Sequence, residues 1–297
     1  MPVNEVYKPL TYFGGKSTII QDLLKILPEH RFYLELFGGS GALLFAKKPC
    51  EFEVFNDIDG ELINFYNVLK DEEKFKKFYR KVYFTLYSRE EFYKARDNIG
   101  NGDEVERAYN FFVACRQSFS GNFQSWSYAI KTIRGGLCEQ TSKWISLINK
   151  LPEFHQRMIR VQIEKLDWYE CLKKYAENWD YEDSVVYMDP PYIHETRSAG
   201  RYRFEIDTSE HEKLVDWLLS SKCKVKVILS GYEHKIYEPL EKHGWKKIKI
   251  RTHCWAVGRT KAIGLLGQGA GQDEKYYRTE CVWINFNTFK QKTLFDL

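Results

Sequence analysis

The feature that most constrains this chain is the string Asp-Pro-Pro-Tyr at residues 189–192, which directly follows an apolar run at 185–188. Two consecutive prolines have no N–H groups to donate, so the run predicts a buried strand that ends there. The extended backbone that follows has a carboxylate before it and an aromatic ring after it. This arrangement suits a flat group with an amino substituent, because the carboxylate accepts hydrogen bonds from the NH₂ while the ring stacks on the flat face. The alternative interpretation is a strand that ends in an ordinary turn.

A second region, far upstream, has the pattern of a nucleotide-binding unit. Residues 32–37 predict a strand, the glycine-rich string at 38–41 predicts a turn, and the apolar residues 42–46 predict a helix start. The next predicted strand, at 52–55, is followed by Asp57, which lies about 16 residues past the last glycine of the turn. That separation is close to the ~20 residues at which an acidic side chain meets ribose hydroxyls. Together these signals indicate a cofactor that contains adenosine.

Two other nucleotide sites fit these residues less well. A dinucleotide-binding turn needs a third glycine where Leu44 stands, which disfavours NAD. The string Gly-Lys-Ser-Thr at 15–18 resembles the end of a phosphate-binding loop, but Leu10 stands where that motif needs its first glycine. An ATPase is therefore disfavoured as well.

Strand-like runs alternate with helical patterns in two blocks, residues 1–70 and 160–297, and this α/β alternation predicts a mostly parallel sheet with helices on both faces. The residues between the blocks, 71–159, predict an α-rich insertion. Insertions at the strand ends of such sheets face the ligand crevice. We therefore expect one domain built from the two blocks and a second element built from the insertion.

Local signals predict where individual elements end. The last two predicted strands, near 246–253 and 277–285, flank a glycine-rich link and predict an antiparallel C-terminal hairpin. Ser209 and Glu212 have the spacing of a capping box and predict a helix N-terminus at this serine. Residues 121–136 are polar, aromatic and basic, and they predict a loop with a short hairpin.

Three blocks of the sequence together resemble one family, the adenine-specific DNA methyltransferases of the Dam type. The blocks are Tyr-Phe-Gly-Gly-Lys at 12–16, Glu-Leu-Phe-Gly-Gly-Ser-Gly at 35–41, and Asp-Pro-Pro-Tyr at 189–192, in the order of the family. The resemblance covers almost the whole chain and implies a Rossmann-like sheet that binds S-adenosylmethionine (AdoMet) and carries a target-recognition insertion. Leu36 stands where the family usually has proline, a departure that affects turn geometry rather than chemistry.

The same resemblance implies roles for individual residues. The implied cofactor-binding residues are Tyr12, Lys16, Glu35, Gly39, Gly41, Asp57, Asp167, Trp168 and Asp189. Within this set, Asp57 accepts hydrogen bonds from the ribose hydroxyls, and the pair Asp167-Trp168 binds the adenine ring of the cofactor. The implied catalytic residues, which serve the base that accepts the methyl group, are Asp189, Pro190 and Tyr192.

The implied reaction is methyl transfer from AdoMet to the 6-amino group of adenine at a specific site in double-stranded DNA. An adenine inside a duplex cannot reach a buried methyl donor, so the base must be flipped out. Tyr192 then stacks on the base, while Asp189 and the Pro190 carbonyl accept the amino hydrogens and point the nitrogen lone pair at the methyl group. Three alternatives stay open: amino-methylation of cytosine in DNA, methylation of RNA or of a protein amide, and a non-catalytic DNA-binding regulator that keeps the fold.

The segment at 116–124 resembles a recognition loop of enzymes that read the sequence GATC. Ser118 and Gln124 stand where that pattern has asparagines, so the resemblance does not extend to GATC as the target. DNA contacts are predicted for Arg116, Asn122, Lys131 and Arg134. The aromatic side chains of this region have two interpretations, as wedges in a duplex or as the core of the insertion. They are Phe119, Phe123, Trp126 and Tyr128.

The charge of the chain is nearly balanced, with 45 basic and 41 acidic residues and a net charge of +4. This balance does not require a polyanionic partner. Two stretches are locally basic, residues 107–160 and 242–261. Each is consistent with phosphate contacts to DNA or with a solvated protein surface.

The seven cysteines include no C-x-x-C pair, and no clustered Cys/His set occurs, so we expect no metal. Scattered thiols without a signal peptide predict a cytoplasmic protein. No apolar run approaches the ~18 residues of a membrane-spanning helix, so no membrane partner is expected. A companion restriction endonuclease is a partner that the sequence leaves open.

Overall fold

The computed structural model describes residues 8–11, 16, 18–196, 203–253 and 277–287. The strands are β1 (Phe32–Glu35), β2 (Phe52–Asn56), β3 (Ile133–Arg134), β4 (Leu137–Cys138), β5 (Gln162–Glu164), β6 (Ser184–Met188), β7 (Lys226–Gly231), β8 (Lys246–His253) and β9 (Tyr277–Ile284). The helices are α1 (Ile20–Ile26), α2 (Ala42–Ala46), α3 (Gly60–Lys70), α4 (Glu72–Tyr83), α5 (Arg89–Asp97), α6 (Glu104–Gln117), α7 (Glu139–Met158), α8 (Trp168–Lys174), α9 (Thr208–Leu219) and α10 (Glu238–Lys242).

Seven strands form one sheet in the order β5-β2-β1-β6-β7-β9-β8. The first five strands are parallel, and β9 runs antiparallel to both β7 and β8. From β1 the chain moves outward through β2 to β5 and then returns to β6 on the other side. A reversal of this kind opens a crevice at the carboxyl ends of the strands, where ligands of α/β proteins bind. The predicted α/β class, the mostly parallel sheet and the antiparallel C-terminal pair are confirmed.

Alternate residues of the central strands enter two separate cores, one on each face of the sheet. In β1, Tyr33 belongs to a core with α3, α6 and α7, whereas Leu34 belongs to a core with α8, α9 and α10. All five residues of β6 are buried, as expected for a parallel strand covered on both faces. The strand ends at Met188, directly before Asp189, because the two prolines that follow cannot continue the ladder.

The segment 71–159 contains α4 to α7 and the small hairpin of β3 and β4. Three of its helices, α4, α6 and α7, pack on α3, and α5 packs on α6. Phe65 of α3 stacks on Phe112 of α6 with ring centroids 5.7 Å apart, and it meets Phe78 of α4 at 5.8 Å. The inserted helices therefore share one hydrophobic core with a face of the sheet, which ties the position of the insertion to the strands.

The predicted N-terminus of the helix near residue 208 is wrong in its detail. Asp207 is the cap of α9, and its carboxylate accepts the backbone N–H of Glu210 at 2.9 Å. Ser209 lies inside the first turn and donates to the same carboxylate at 2.8 Å. A carboxylate near a helix N-terminus is favoured by the helix dipole, so Asp207 takes the capping position.

Two further observations complete the fold. The glycine-rich link of the predicted C-terminal hairpin lies outside the described residues, although its two strands pair as expected. Within the part of the chain that the structure describes, no helix combines the length and apolar character needed to cross a membrane.

Candidate active site

A cavity of about 520 Å³ lies at the carboxyl ends of β1, β2 and β6. Seven of the nine predicted cofactor-binding residues line it: Lys16, Glu35, Gly39, Asp57, Asp167, Trp168 and Asp189. Gly41 is not among the lining residues but is the N-cap of α2, and Tyr12 lies outside the described residues. Because the carboxyl ends of parallel strands meet at one edge of the sheet, segments far apart in the sequence converge on one space.

The turn after β1 is held against β2 by Asp57. The carboxylate of Asp57 accepts the backbone N–H of Gly39 at 2.8 Å and that of Asp59 at 2.9 Å. A Cβ atom at Gly38 would lie 2.2 Å from the ring of Phe55, so only glycine allows this close approach. Burial raises the pKa of Asp57 to about 6, against backbone N–H groups that lower it. Each carboxylate oxygen keeps a second lone pair, so Asp57 can also accept hydroxyl donors from the cavity.

Glu35 ends β1 and is almost completely buried. Its carboxyl group accepts hydrogen bonds from the Tyr33 hydroxyl and from the backbone N–H of Leu44, both at 2.9 Å. Burial nevertheless raises the pKa of Glu35 to about 8. The side chain is therefore largely protonated at neutral pH, and a cation in the cavity would favour its ionised form.

Asp167 and Trp168 line the cavity at the start of α8. Asp167 caps α8 by accepting the backbone N–H of Tyr169 at 2.9 Å. The indole N–H of the buried Trp168 donates to Glu210 of α9 at 3.0 Å. The tryptophan ring is thus tied between two helices, which suits a fixed apolar surface for a flat ligand.

The predicted catalytic residues meet Lys16 at the end of β6. The ammonium nitrogen of Lys16 lies 2.8 Å from a carboxylate oxygen of Asp189 and 4.2 Å from the ring centroid of Tyr192. Pro190 and Tyr192 are buried, and the ring of Tyr232 meets that of Tyr192 edge-on at 4.6 Å. The strand end therefore brings a carboxylate, a cation and an aromatic ring into direct contact.

Glu280 of β9 is a fourth member of this group that sequence reasoning missed. The Tyr192 hydroxyl donates to Glu280 at 3.2 Å, and the Lys16 ammonium lies 3.7 Å from the same carboxylate. Burial raises the pKa of Asp189 to about 6, Lys16 lowers it, and the charge of Glu280 raises it. The only sequence signal for Glu280 is an acidic residue directly before the apolar run at 281–284, which by itself predicts no role.

The predicted DNA-binding residues occupy different settings in the insertion. Arg116 is partly buried, and its guanidinium donates to the Thr11 hydroxyl at 2.6 Å. The Asn122 carboxamide oxygen accepts the backbone N–H of Gln124 at 2.9 Å and so shapes the loop. Lys131 is exposed, and Arg134 lies on β3. Arg116 and Asn122 are thus held by the protein itself, whereas Lys131 faces solvent.

The recognition-loop pattern at 116–124 also contains a residue that cannot face DNA directly. Ser118 is buried, and its hydroxyl donates to the backbone carbonyl of Cys115 at 2.9 Å. Gln124 is exposed. Of the two positions that depart from the pattern, one is therefore buried and the other is accessible to solvent.

The aromatic residues of the loop divide between the two interpretations. The ring centroid of Phe123 lies 5.4 Å from that of Phe111 in α6, and Phe123 packs against the hydrophobic core. Trp126 stacks on Tyr128 at 5.8 Å, and Tyr128 is 57% exposed. Phe119 is also exposed, so it and Tyr128 lie on the surface of the insertion.

Acidic side chains, some from other segments and some from the same helix, pair with several cations in the described parts of the two basic stretches. In the second stretch, Lys247 contacts Glu241 at 2.8 Å, and both Lys247 and Lys249 contact Glu233 within 2.9 Å. In the first, several cations are paired in the same way; the pairs are Arg107–Glu61, Lys143–Glu139, Lys150–Glu153 and Arg157–Glu53. The basic stretches are therefore weaker evidence for phosphate contacts than the sequence alone indicates.

Arg203 connects the cavity with the insertion. It lines the cavity, and its Nε lies 3.3 Å from the carboxylate of Asp59, the cap of α3. The guanidinium also lies over the rings of Phe111 and Phe123, at 5.2 and 5.5 Å from their centroids.

Among the described residues, no group of three or more His, Cys, Asp or Glu side chains is placed to hold a metal ion.

The sequence is similar to those of known proteins. Residues 12–254 match the family model described as D12 class N6 adenine-specific DNA methyltransferase. A type II methyltransferase of Lactococcus lactis, M1.LlaDCHI, is 30% identical over 252 residues, which cover 79% of this chain and 84% of that protein. A DNA adenine methylase of Salmonella typhi is 25% identical over 269 residues, 85% of this chain and 90% of that protein.

A DNA adenine methylase of Vibrio cholerae is 29% identical over 194 residues. This match covers 62% of the chain and 64% of the Vibrio protein. The similarity thus spans less than two thirds of that relative's length. It extends over a longer share of the Lactococcus and Salmonella proteins.

Proposed function

The chain belongs to the D12 class N6 adenine-specific DNA methyltransferases, and we propose that it transfers a methyl group from AdoMet to the 6-amino group of adenine at a specific site in double-stranded DNA. The observation that carries this proposal is the shared cavity. Asp189, at the end of β6, and Asp57, at the end of β2, line the same space of about 520 Å³. An acceptor for an amino group and an acceptor for ribose hydroxyls therefore face one ligand site.

The cavity suits AdoMet in size and in chemistry. Its volume lies in the range of small-molecule and cofactor sites. Asp57 offers carboxylate oxygens to ribose hydroxyls, Trp168 offers an apolar wall to the adenine ring, and Glu35 offers a buried carboxyl group to a cationic substituent. When bound, AdoMet supplies a methyl group made electrophilic by a sulfonium centre.

On the base side, the residues act on the amino group of a flipped adenine. Asp189 and the Pro190 carbonyl accept its two hydrogens, which directs the nitrogen lone pair toward the methyl group and stabilises the positive charge that grows on nitrogen during transfer. Tyr192 stacks on the base and replaces stacking lost from the duplex, worth on the order of 1–3 kcal/mol.

The ammonium group of Lys16 must move before the flipped base can bind. This ammonium lies 2.8 Å from the carboxylate of Asp189, the proposed hydrogen-bond acceptor for the amino group of the base. It also lies over the ring of Tyr192. A base that binds Asp189 and stacks on the same ring face displaces it. Glu280, 3.7 Å from the ammonium, is a second carboxylate that can keep the cation paired. We therefore assign Glu280 the role of holding Lys16 and the Tyr192 hydroxyl while the base is bound.

The function is tested by expressing the chain in cells that lack adenine methylation and mapping modified bases by single-molecule sequencing. We expect N6-methyladenine at one short sequence and none in cells with an empty vector. Modified cytosine in place of adenine would support the cytosine alternative. If no base is modified and a calorimetric titration with AdoMet gives no heat of binding, the non-catalytic regulator is the better explanation.

The pH dependence of the rate follows from the pKa of Asp189. Only the ionised carboxylate offers a negative charge to the nitrogen as positive charge grows on it, so kcat/KM is expected to fall as the pH drops through the pKa of about 6. Glu280→Gln removes a neighbouring negative charge that raises this pKa, so the acidic limb of the profile should move to lower pH. An unchanged midpoint in Glu280→Gln would remove Asp189 as the group that titrates.

Two variants of the insertion separate base recognition from phosphate contact. Arg116→Ala should relax target choice, with a loss of about 1–3 kcal/mol of discrimination between the target and single-base mismatches. Lys131→Ala should weaken binding to all sequences. It should also reduce the slope of the logarithm of the binding constant against the logarithm of the salt concentration by about 1. Methylation rates on matched and mismatched duplexes, together with binding at several salt concentrations, distinguish them. Identical rates on all duplexes before and after Arg116→Ala would exclude this arginine from recognition.

The similarity to a type II methyltransferase supports a role in restriction–modification, with a companion endonuclease as partner. The methylated sequence found by mapping names the site that such an endonuclease would cut. A cytoplasmic location stays a prediction that rests on the scattered cysteines.

A further inference from the structure

A buried histidine touches the loop that carries the catalytic residues. His211 of α9 is completely buried, and its Nε2 lies 3.0 Å from the backbone carbonyl oxygen of Pro191. Its Nδ1 lies 2.8 Å from the hydroxyl of Tyr237. Both ring nitrogens therefore have partners, and one partner belongs to the string at 189–192.

The direction of these hydrogen bonds follows from their partners. A carbonyl oxygen only accepts, so Nε2 of His211 carries a hydrogen and donates to Pro191. The Tyr237 hydroxyl completes the arrangement by donating to Nδ1 of a neutral ring. Burial raises the pKa of Tyr237 well above its ordinary value, which keeps this hydroxyl protonated and able to donate.

The loop has a particular need for such a donor. Pro190 and Pro191 have no N–H groups, so this backbone cannot be fixed by hydrogen bonds that it donates itself. A donor that reaches the Pro191 carbonyl can hold the peptide that joins the carboxylate side of the loop to Tyr192. His211 reaches it from α9, an element outside the loop.

Tyr237 is in turn fixed by the core on the same face of the sheet. Its ring packs against Trp283 of β9 with centroids 4.7 Å apart. The indole N–H of Trp283 donates to Glu241 of α10 at 3.3 Å. A continuous set of contacts therefore runs from β9 and α10 through Tyr237 and His211 to the catalytic loop.

We propose that His211, oriented by Tyr237, is a positioning residue that sets the catalytic loop through the Pro191 carbonyl. The inference rests on the proposed methyl transfer and deepens it, because the hydrogen bond fixes the placement of Asp189 and Tyr192 relative to the base. His211 does not touch the reacting atoms. Its loss should therefore lower kcat more than it changes KM for DNA or AdoMet.

The test compares side chains that place a nitrogen at the position of Nε2 or at the position of Nδ1 of the histidine. His211→Gln extends an amide N–H to about the position of Nε2 and should keep kcat near the wild-type value. His211→Asn reaches only about as far as Nδ1 and should lower kcat by up to about 10²-fold, the cost of misplacing a catalytic group by about 1 Å. Tyr237→Phe keeps the packing but loses the hydroxyl, and should lower kcat by a smaller factor.

His243 provides a matched control. Its Nδ1 lies 2.8 Å from the Pro239 carbonyl at the exposed end of α10, so it is a second histidine held against a proline carbonyl, away from the cavity. His243→Asn should leave kcat unchanged. Melting temperatures of all variants show which of them are folded.

Several results would overturn the inference. Equal losses of kcat in His211→Gln and His211→Asn would show that the donor at Nε2 is not what matters, and a wild-type kcat in His211→Asn would show the same. If His211→Asn does not fold, an unchanged kcat in Tyr237→Phe decides against the inference. An inactive wild-type protein would instead contradict the proposed function, so the two failures are distinguishable.

Discussion

Replacing Asp189 with alanine is expected to lower the rate of methyl transfer by about 10²–10³-fold, the cost of losing one preorganised hydrogen-bonding group at the reacting centre. The carboxylate is partly buried at the end of β6, and in the proposed mechanism alanine leaves the amino group of the base without its charged acceptor. DNA affinity should change little, because the predicted contacts with the duplex lie in the insertion and Tyr192 still stacks on the flipped base.

Single-turnover methylation measures the first quantity, and fluorescence anisotropy with labelled duplex measures the second. Asp189→Asn keeps one oxygen that can accept a hydrogen bond but loses the charge, so its rate should lie between those of alanine and the wild type. Asp183→Ala is a suitable control, since Asp183 precedes the opposite end of the same strand and should not affect the rate. Normal turnover of Asp189→Ala would contradict the role given to this residue.

Arg157→Ala is expected to lower the free energy of unfolding by about 1–3 kcal/mol, the cost of removing the hydrogen-bonding partner of a buried polar group. The guanidinium of Arg157 makes two contacts with the Glu53 carboxylate, at 2.5 and 2.7 Å, and donates to the Leu44 carbonyl at 3.0 Å. The Glu53 side chain is only 1% exposed. Lys47 also pairs with Glu53, but it cannot replace the two-pronged contact of the guanidinium.

The pKa of Glu53 supports this expectation. Burial pushes the pKa of Glu53 up, but the Arg157 hydrogen bonds and the Lys47 charge outweigh burial and hold it below its ordinary value. A carboxyl group with a depressed pKa stabilises the fold above its unfolded pKa, and that contribution is lost as the pH falls through the folded pKa. The gap in stability between wild type and Arg157→Ala should therefore narrow in acid.

Urea denaturation at neutral and acidic pH measures this gap. Arg160→Ala is the matched control, because Arg160 is exposed just beyond the end of α7 and its removal should cost less than about 0.5 kcal/mol. Since Arg157 belongs to α7 of the insertion and Leu44 to α2 beside the glycine turn, the variant should also weaken AdoMet binding. Equal stability of Arg157→Ala and Arg160→Ala would show that the ion pair contributes nothing.

Local patterns in the sequence determined much of the fold and the position of the cavity. The paired prolines end β6 at Met188, and the glycine string ends β1 before α2, because these residue types restrict the backbone wherever they occur. Once the strands are parallel, their carboxyl ends must share one edge. The common location of Glu35, Asp57 and Asp189 therefore follows from short-range signals and one rule of sheet geometry.

Contacts between distant segments were decided only by the tertiary structure. Glu280 reaches Tyr192 and Lys16 because β9 inserts between β7 and β8, an order that no local pattern encodes. Glu233 likewise neutralises Lys249 from another segment, so a stretch that is basic in the sequence is paired in space. Backbone restrictions act over a few residues and can be read along the chain. Ion pairs and hydrogen bonds depend on three-dimensional distance, which is set only when the whole sheet and its two cores have assembled.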